Sequence, residues 1–238
     1  MSWRRRRSRA CIRSIRVWPN LTRLLLIRHG QTAWNASARI QGQRDVPLDE
    51  RGRWQAQRLA QHLKDGEPID GLVASPLIRA WETAQCLAQA LGLPVQADAR
   101  LMERSFGQFE GYTLAEANER WPQAVARWRA RQLHGCAPGG ESAQAFIERS
   151  LAALAHWAAC FAGRTWALVT HGGVLDVVYR HAQGLAWDAP RTVPLLNAAI
   201  NRLEVLGWQP LALSVLDWGD VAHLDSANSG PILGGHAP

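Results

Sequence analysis

Arg28 and His29 follow directly on a short apolar run, residues 24–27, and Gly30 comes next. A guanidinium offers a planar fork of donors suited to a tetrahedral oxyanion, and an imidazole with one unprotonated nitrogen is a nucleophile near neutral pH. The glycine lets the backbone turn tightly behind them. A second junction has the same form: the β-prone run 167–170 ends in His171-Gly172-Gly173. A third run, residues 69–74, closes with Ser75-Pro76, and a helical stretch then carries Arg79 one turn in. Two arginines and two histidines near one sheet edge suit transfer of a phosphoryl group. That reaction asks a protein mainly to aim a nucleophile in line and to neutralise the equatorial oxygens.

Runs this short and apolar are the pattern of strands buried on both faces of a parallel sheet, and ligands of such sheets sit beyond the strands' carboxyl ends. Between the strands, the periodicity predicts a helix over 50–64 with Trp54, Leu59 and Leu63 on one face. A strand over 70–74 and a helix over 76–91 follow, with Pro76 in a first turn that needs no N–H. A short strand at 94–97 leads to the loop of Glu103, then helices over 114–132 and 143–161 are separated by Pro138-Gly139-Gly140. A strand over 165–170, a helix over 174–181 and a hairpin of strands 198–206 and 211–217 finish the chain. The fold class expected is a three-layer α/β/α arrangement with a mostly parallel sheet, helices on both faces and an antiparallel edge strand.

The 238 residues suit one domain over 21–238. The net charge of +7 does not belong to that domain. Seven arginines and no acid lie in residues 1–20, and the remainder balances. This basic arm is expected to be a disordered leader or the product of a misplaced start, so neither nucleic acid nor a membrane surface is expected as a partner. No apolar segment approaches the ~18 residues a membrane span needs, and none follows the arginines as a secretory signal requires. Cys11, Cys86, Cys136 and Cys160 form no Cys-x-x-Cys pair, which predicts neither a disulfide scaffold nor a metal site and points to a reducing, cytoplasmic setting.

The motifs also share an order. Leu26-Ile27-Arg28-His29-Gly30-Gln31-Thr32 is followed by Trp34-Asn35, Gln41-Gly42, Ser75-Pro76-Leu77 with Arg79-Ala80, and Glu103-Arg104-Ser105-Phe106-Gly107. Pro138-Gly139-Gly140-Glu141-Ser142, Thr170-His171-Gly172-Gly173 and Gly219-Asp220-Val221-Ala222-His223-Leu224 complete the series. In these stretches the chain resembles the histidine phosphatase superfamily, which includes the cofactor-dependent phosphoglycerate mutases and broad-specificity phosphatases. The resemblance implies a phosphohistidine at His29, held among Arg28, Arg79 and His171 with Gly172 beside it, His171 adding charge when protonated. It implies Glu103 as the acid that protonates the leaving alkoxide, its proton favoured by the bound phosphate dianion against the nearby cations. The residues alone leave open a plain salt bridge from Glu103 to Arg28 or Arg79. Asn35 and Gln41 are matched to positions that hold the phosphoryl group or line the entrance, with turn hydrogen bonding as the alternative. Glu141 and Ser142 either cap the next helix or approach the site, and His223 is expected to be structural. His62, His134, His156, His181 and His236 are expected at the surface.

Other phosphatase chemistries leave no trace: there is no Gly-x-x-x-x-Gly-Lys, Cys-x5-Arg or Gly-x-Ser-x-Gly, and no His-x-His or aspartate cluster for two metals. No cofactor is expected, and catalysis is expected to survive EDTA. Mutases of the resembled family carry a long insertion between the acid loop and the glycine-rich turn; here Glu103 and Pro138 are close in sequence, which resembles the compact phosphatase branch. Hydrolysis of a small phosphomonoester is therefore expected, with phosphoglycerate mutase and a non-catalytic phospholigand-binding protein as alternatives. Trp121, Trp128, Arg127, Arg129 and Arg131, in the stretch 114–139, are the candidates for substrate selection.

Overall fold

The computed structural model describes residues 21–225. The basic arm 1–20, Cys11 and His236 lie outside the described residues. Six strands form one sheet: β1 (Thr22–Arg28), β2 (Gly71–Ala74), β3 (Val95–Ala97), β4 (Thr165–Thr170), β5 (Ile200–Trp208) and β6 (Leu211–Asp220). Their spatial order is β3-β2-β4-β1-β5-β6. The first four run parallel, and β5 and β6 form an antiparallel hairpin appended beside β1.

The central strand β1 is apolar from Leu24 to Ile27 because both of its faces are covered there. Leu24 and Leu26 pack with α6 (Ala143–Cys160) and α7 (Gly172–Gln183) through residues such as Phe146, Leu154, Val174 and Val178. Leu25 and Ile27 face the opposite layer, where α2 (Glu50–Lys64) and α3 (Ile78–Leu91) contribute Leu59, Leu63, Ala80, Ala84 and Leu87. A third, smaller core holds Ile40, Phe109, Ala117, Val125 and Ala137. It sits under α4 (Leu114–Arg120) and α5 (Pro122–Arg129), which build the excursion over the sheet edge. The short α1 (Ala33–Ala36) follows the first strand. Among the described residues, no helix is long and apolar enough to cross a membrane.

Several boundaries differ from the sequence reading for identifiable reasons. The helix expected over 114–132 is two helices, broken at Trp121, whose φ of −136° and ψ of 56° leave the helical region. Pro122 disfavours the helical conformation in the residue before it and suits the first turn of the next helix. The helix expected from residue 76 begins at Ile78, whose N–H donates to Asp45 Oδ1 at 2.6 Å. A cap supplied from another loop leaves no trace in the local pattern. Helix α7 starts two residues earlier than expected, at Gly172, directly after His171. Strand β5 starts two residues later, because Ala198 adopts φ 56° and turns its N–H onto the carbonyl of Arg28.

Candidate active site

The register of the sheet sets the site. Arg28 of β1 pairs with Thr170 of β4, and Ala74 of β2 pairs with Val169. The three parallel strands therefore end within one residue of each other, and each hands its next residue to the same edge: His29, His171 and Ser75. The main chain stays pinned past the strand ends, with His29 N–H donating to Thr170 O and Ser75 N–H to Val169 O, both at 3.0 Å. Gly30 is required where the chain turns, since a Cβ there would lie 2.5 Å from the Gly52 carbonyl oxygen.

His29 and His171 meet with ring centres 5.1 Å apart, both buried. His29 Nδ1 lies 2.7 Å from the Gly30 carbonyl oxygen, an acceptor only, so Nδ1 carries the proton and Nε2 keeps its lone pair. His171 Nε2 lies 2.7 Å from Ser75 Oγ. With that hydroxyl donating, the proton of His171 resides on Nδ1, which is buried without a protein partner. Burial first, then the Arg79 and Arg28 guanidinia, hold the His29 pKa well below its ordinary value. Burial, Arg79, His29, Arg28 and Arg149 do the same for His171. A positive charge on His171 is thus disfavoured before an anion arrives.

Arg28 and Arg79 supply the cationic walls. Arg28 Nη1 donates to the Leu195 carbonyl, and its Nε is buried without a protein partner. Arg79 donates from Nη1 to Arg44 O at 2.8 Å and from Nη2 to Gly42 O at 2.7 Å, again leaving Nε without one. Burial lowers both pKa values to about 10, against the carboxylate of Glu103, so both remain charged at neutral pH. The α7 amino terminus, beginning at Gly172, adds the positive end of a helix dipole.

Glu103 lines the same cavity, but the salt bridge left open by the sequence is replaced by main-chain contacts. Its Oε1 accepts from Arg104 N–H at 2.8 Å and its Oε2 from Gly173 N–H at 2.9 Å. Glycine at 173 leaves room for this carboxylate, because a Cβ there would sit 2.1 Å from Glu103 Oε1. Asn35 and Gln41 also line the cavity, and both make the local hydrogen bonding raised as their alternative. Asn35 Oδ1 closes a capping box with Thr32, and Gln41 Oε1 accepts from Thr32 Oγ1 at 3.0 Å. Their amide nitrogens are the groups left to face a ligand.

The cavity has a volume of about 1060 Å³, far more than a phosphoryl group fills. Trp128, Arg129 and Arg131 line it together with Phe106, Trp34 and Trp187. Arg127 does not, and Trp121 packs instead against Phe109 and Tyr112. Ser142 caps α6, and Glu141 pairs with Arg149 at 2.6 Å. His223 is buried and stacks on His62 with ring centres 5.5 Å apart. His62, His134, His156 and His181 are exposed, as expected. Sequence reasoning missed Ser75 as a partner of His171, although its place at the end of β2 was a signal. It also missed Asn197, whose Nδ2 donates to the His29 carbonyl at 2.9 Å from a loop without regular pattern.

Known proteins resemble this chain in sequence and in fold. The described match to histidine phosphatase superfamily (branch 1) spans residues 24–217. Phosphoglycerate mutase-like protein 4 of Arabidopsis thaliana is 35% identical over 204 residues, covering 85% of this chain and 86% of that protein. A mycobacterial glucosyl-3-phosphoglycerate phosphatase, solved in complex with VO3, superposes with a TM-score of 0.73 at 32% identity, over 83% of this chain and 98% of that one. The alpha-ribazole phosphatase of Shigella flexneri gives a TM-score of 0.73 at 26% identity, over 83% and 96%. With the paired histidines and arginines gathered at the ends of three parallel strands, the chain belongs to the histidine phosphatase superfamily and is an enzyme of that superfamily.

Proposed function

We propose that the chain hydrolyses a small phosphomonoester through a phosphohistidine at His29, with no cofactor and no metal ion. One observation carries this reading. Three buried nitrogens without protein partners (Arg28 Nε, Arg79 Nε and His171 Nδ1) accompany a histidine whose Nδ1 is tied to a carbonyl and whose Nε2 is therefore the free base. Buried donors left unpaired are costly, and an anion offsets that cost.

In the first half-reaction His29 Nε2 forms the N–P bond as the ester P–O bond breaks, and the leaving alkoxide takes a proton from the Glu103 carboxyl. In the second, water forms a bond to phosphorus as the N–P bond breaks. The Glu103 carboxylate takes a proton from that water, which returns both side chains to their starting state and releases phosphate. Arg28, Arg79 and His171, with the Gly172 N–H, meet the charge of the equatorial oxygens; the amides of Asn35 and Gln41 hold the phosphoryl group at the entrance side. Two guanidinia and a helix terminus fill the electrostatic role that metal ions play elsewhere, so EDTA is expected to leave turnover intact. A reducing, cytoplasmic setting suits the dispersed cysteines.

The mutase-like name of one relative favours a second reading, transfer between two hydroxyls of a phosphoglycerate. A steady-state assay over a panel of phosphomonoesters, with 3-phosphoglycerate tested with and without 2,3-bisphosphoglycerate, separates the two. Release of inorganic phosphate is the expected result. Bisphosphate-dependent isomerisation without release would establish the mutase, and binding without turnover would leave only a phospholigand receptor.

A further inference from the structure

Glu103 stands between the short 3-10 turns Ala99–Leu101 and Gly107–Phe109, in a stretch with no helix or strand of its own. What holds it comes from α6. Arg149 Nη1 donates to Arg100 O at 2.7 Å and to Met102 O at 2.8 Å, and Nη2 donates to Glu103 O at 3.0 Å. The remaining donors meet Glu141, Nε to Oε1 at 2.6 Å and Nη2 to Oε2 at 2.8 Å. All the N–H donors that a guanidinium possesses are thereby used. Glu141 closes the other side: its N–H donates to Ser105 O at 2.9 Å, and its carbonyl accepts from Arg104 Nε at 2.9 Å. The fork thus straddles the acid, gripping carbonyls before it while its carboxylate partner grips the chain after it.

From this we infer that Arg149, braced by Glu141, is a positioning residue for the Glu103 proton donor; the inference rests on the acid role proposed above. Pinned at residues 100, 102 and 103, the main chain leaves the carboxyl only its own side-chain torsions, and Gly173 N–H fixes those. A proton donor works only within hydrogen-bond reach of the leaving oxygen, and a misplacement of about 1 Å costs on the order of a hundredfold. Lysine keeps the charge but has no planar fork, so it cannot meet three carbonyls and a carboxylate together.

The test compares phenyl phosphate with p-nitrophenyl phosphate, two esters of similar shape whose leaving groups differ in their need for a proton. Arg149→Met, Arg149→Lys, Glu141→Gln and Glu103→Gln are assayed on the full chain, with thermal unfolding recorded for each. Arg149→Met is expected to lower the phenyl/p-nitrophenyl ratio of kcat/KM by about tenfold or more. Arg149→Lys should lie near Arg149→Met, and Glu141→Gln between these and the unaltered chain. Equal losses on both esters, or full recovery with lysine, would overturn the positioning role. If Arg149→Met does not fold, the ratios for Arg149→Lys and Glu141→Gln decide by the same criterion. A ratio unchanged by Glu103→Gln overturns the acid reading itself; a ratio lowered by Glu103→Gln but not by the Arg149 variants overturns the positioning inference alone.

Discussion

His29 and His171 confront each other with ring centres 5.1 Å apart and planes inclined by 56°, and each is tethered through the nitrogen the other leaves free. His29 is held at Nδ1 by the Gly30 carbonyl, and His171 at Nε2 by the Ser75 hydroxyl. Two residues of one type, buried alike, thereby hold the same Nδ1–H tautomer but are tethered through different nitrogens, so that one presents a lone pair and the other an N–H. The nucleophile and an oxyanion donor come from the same chemistry because their tethers differ.

The first expectation concerns the lone pair. Rapid quench of the enzyme with phosphoryl-labelled substrate should trap an acid-labile label on His29. His29→Ala should lose the label and lower kcat on the order of ten-thousandfold or more, the scale at which removing a nucleophile acts. A label on another residue, or turnover that survives His29→Ala, would reject the covalent step.

Ser75 provides the second. Ser75→Ala removes the hydroxyl that holds the proton of His171 on Nδ1, while His29, both arginines and Glu103 keep their own contacts. A hydrogen bond to a charged ligand is worth about 1.5–3 kcal/mol, so inhibition by inorganic phosphate should weaken by about ten- to a hundredfold. An unchanged inhibition constant would show that His171 is oriented without Ser75.

Much of this was legible in the sequence, and the reason lies in the sheet. Leu24 to Ile27 read as a buried strand because the run is short and wholly apolar, and that placed Arg28 and His29 at its carboxyl end. The same reasoning placed His171 and, one helical turn beyond its strand, Arg79. What remained hidden depends on contacts between distant residues. Asp45 caps α3 across 33 positions, Arg149 reaches the Glu103 carbonyl across 46, and Ser75 meets His171 across 96. No local periodicity records such pairs. The lowered pKa of His171 was hidden for a related reason: two arginines beside it were visible, but complete burial was not.

Acid lability follows from the buried imidazoles. Burial, with the His62 ring and Arg58 adding to it against Asp220 and the Ala198 carbonyl, lowers the His223 pKa to about 4. Its unfolded value is about 6.5. Between those values the unfolded chain takes up a proton that the folded chain refuses, so stability present above pH 6.5 is lost as the pH falls toward 4. His29 and His171, both lowered, act in the same direction. Denaturant titrations from pH 7 to pH 4.5 should show falling stability, and His223→Gln should flatten the slope by at most about 1.4 kcal/mol per pH unit. A slope unaltered by His223→Gln would mean that this ring is solvated and titrates normally.

Gly173→Ala offers a way to displace the proton donor without altering a titratable group. Added to Gly173, a Cβ would lie 2.1 Å from Glu103 Oε1 and 3.0 Å from the Phe146 ring, so the carboxylate must give way or α7 must shift. The carboxylate is the softer of the two, since α7 is packed through Val174, Leu175 and Val178 into the main core. Phenyl phosphate, whose leaving group needs the proton, should lose at least tenfold more kcat/KM than p-nitrophenyl phosphate, on the order of a general acid's contribution. The His29 label should still form with the nitrophenyl ester, because the nucleophile and the arginine walls are untouched by the methyl group. Loss of that label as well would mean that the α7 terminus has moved and carried His171 with it.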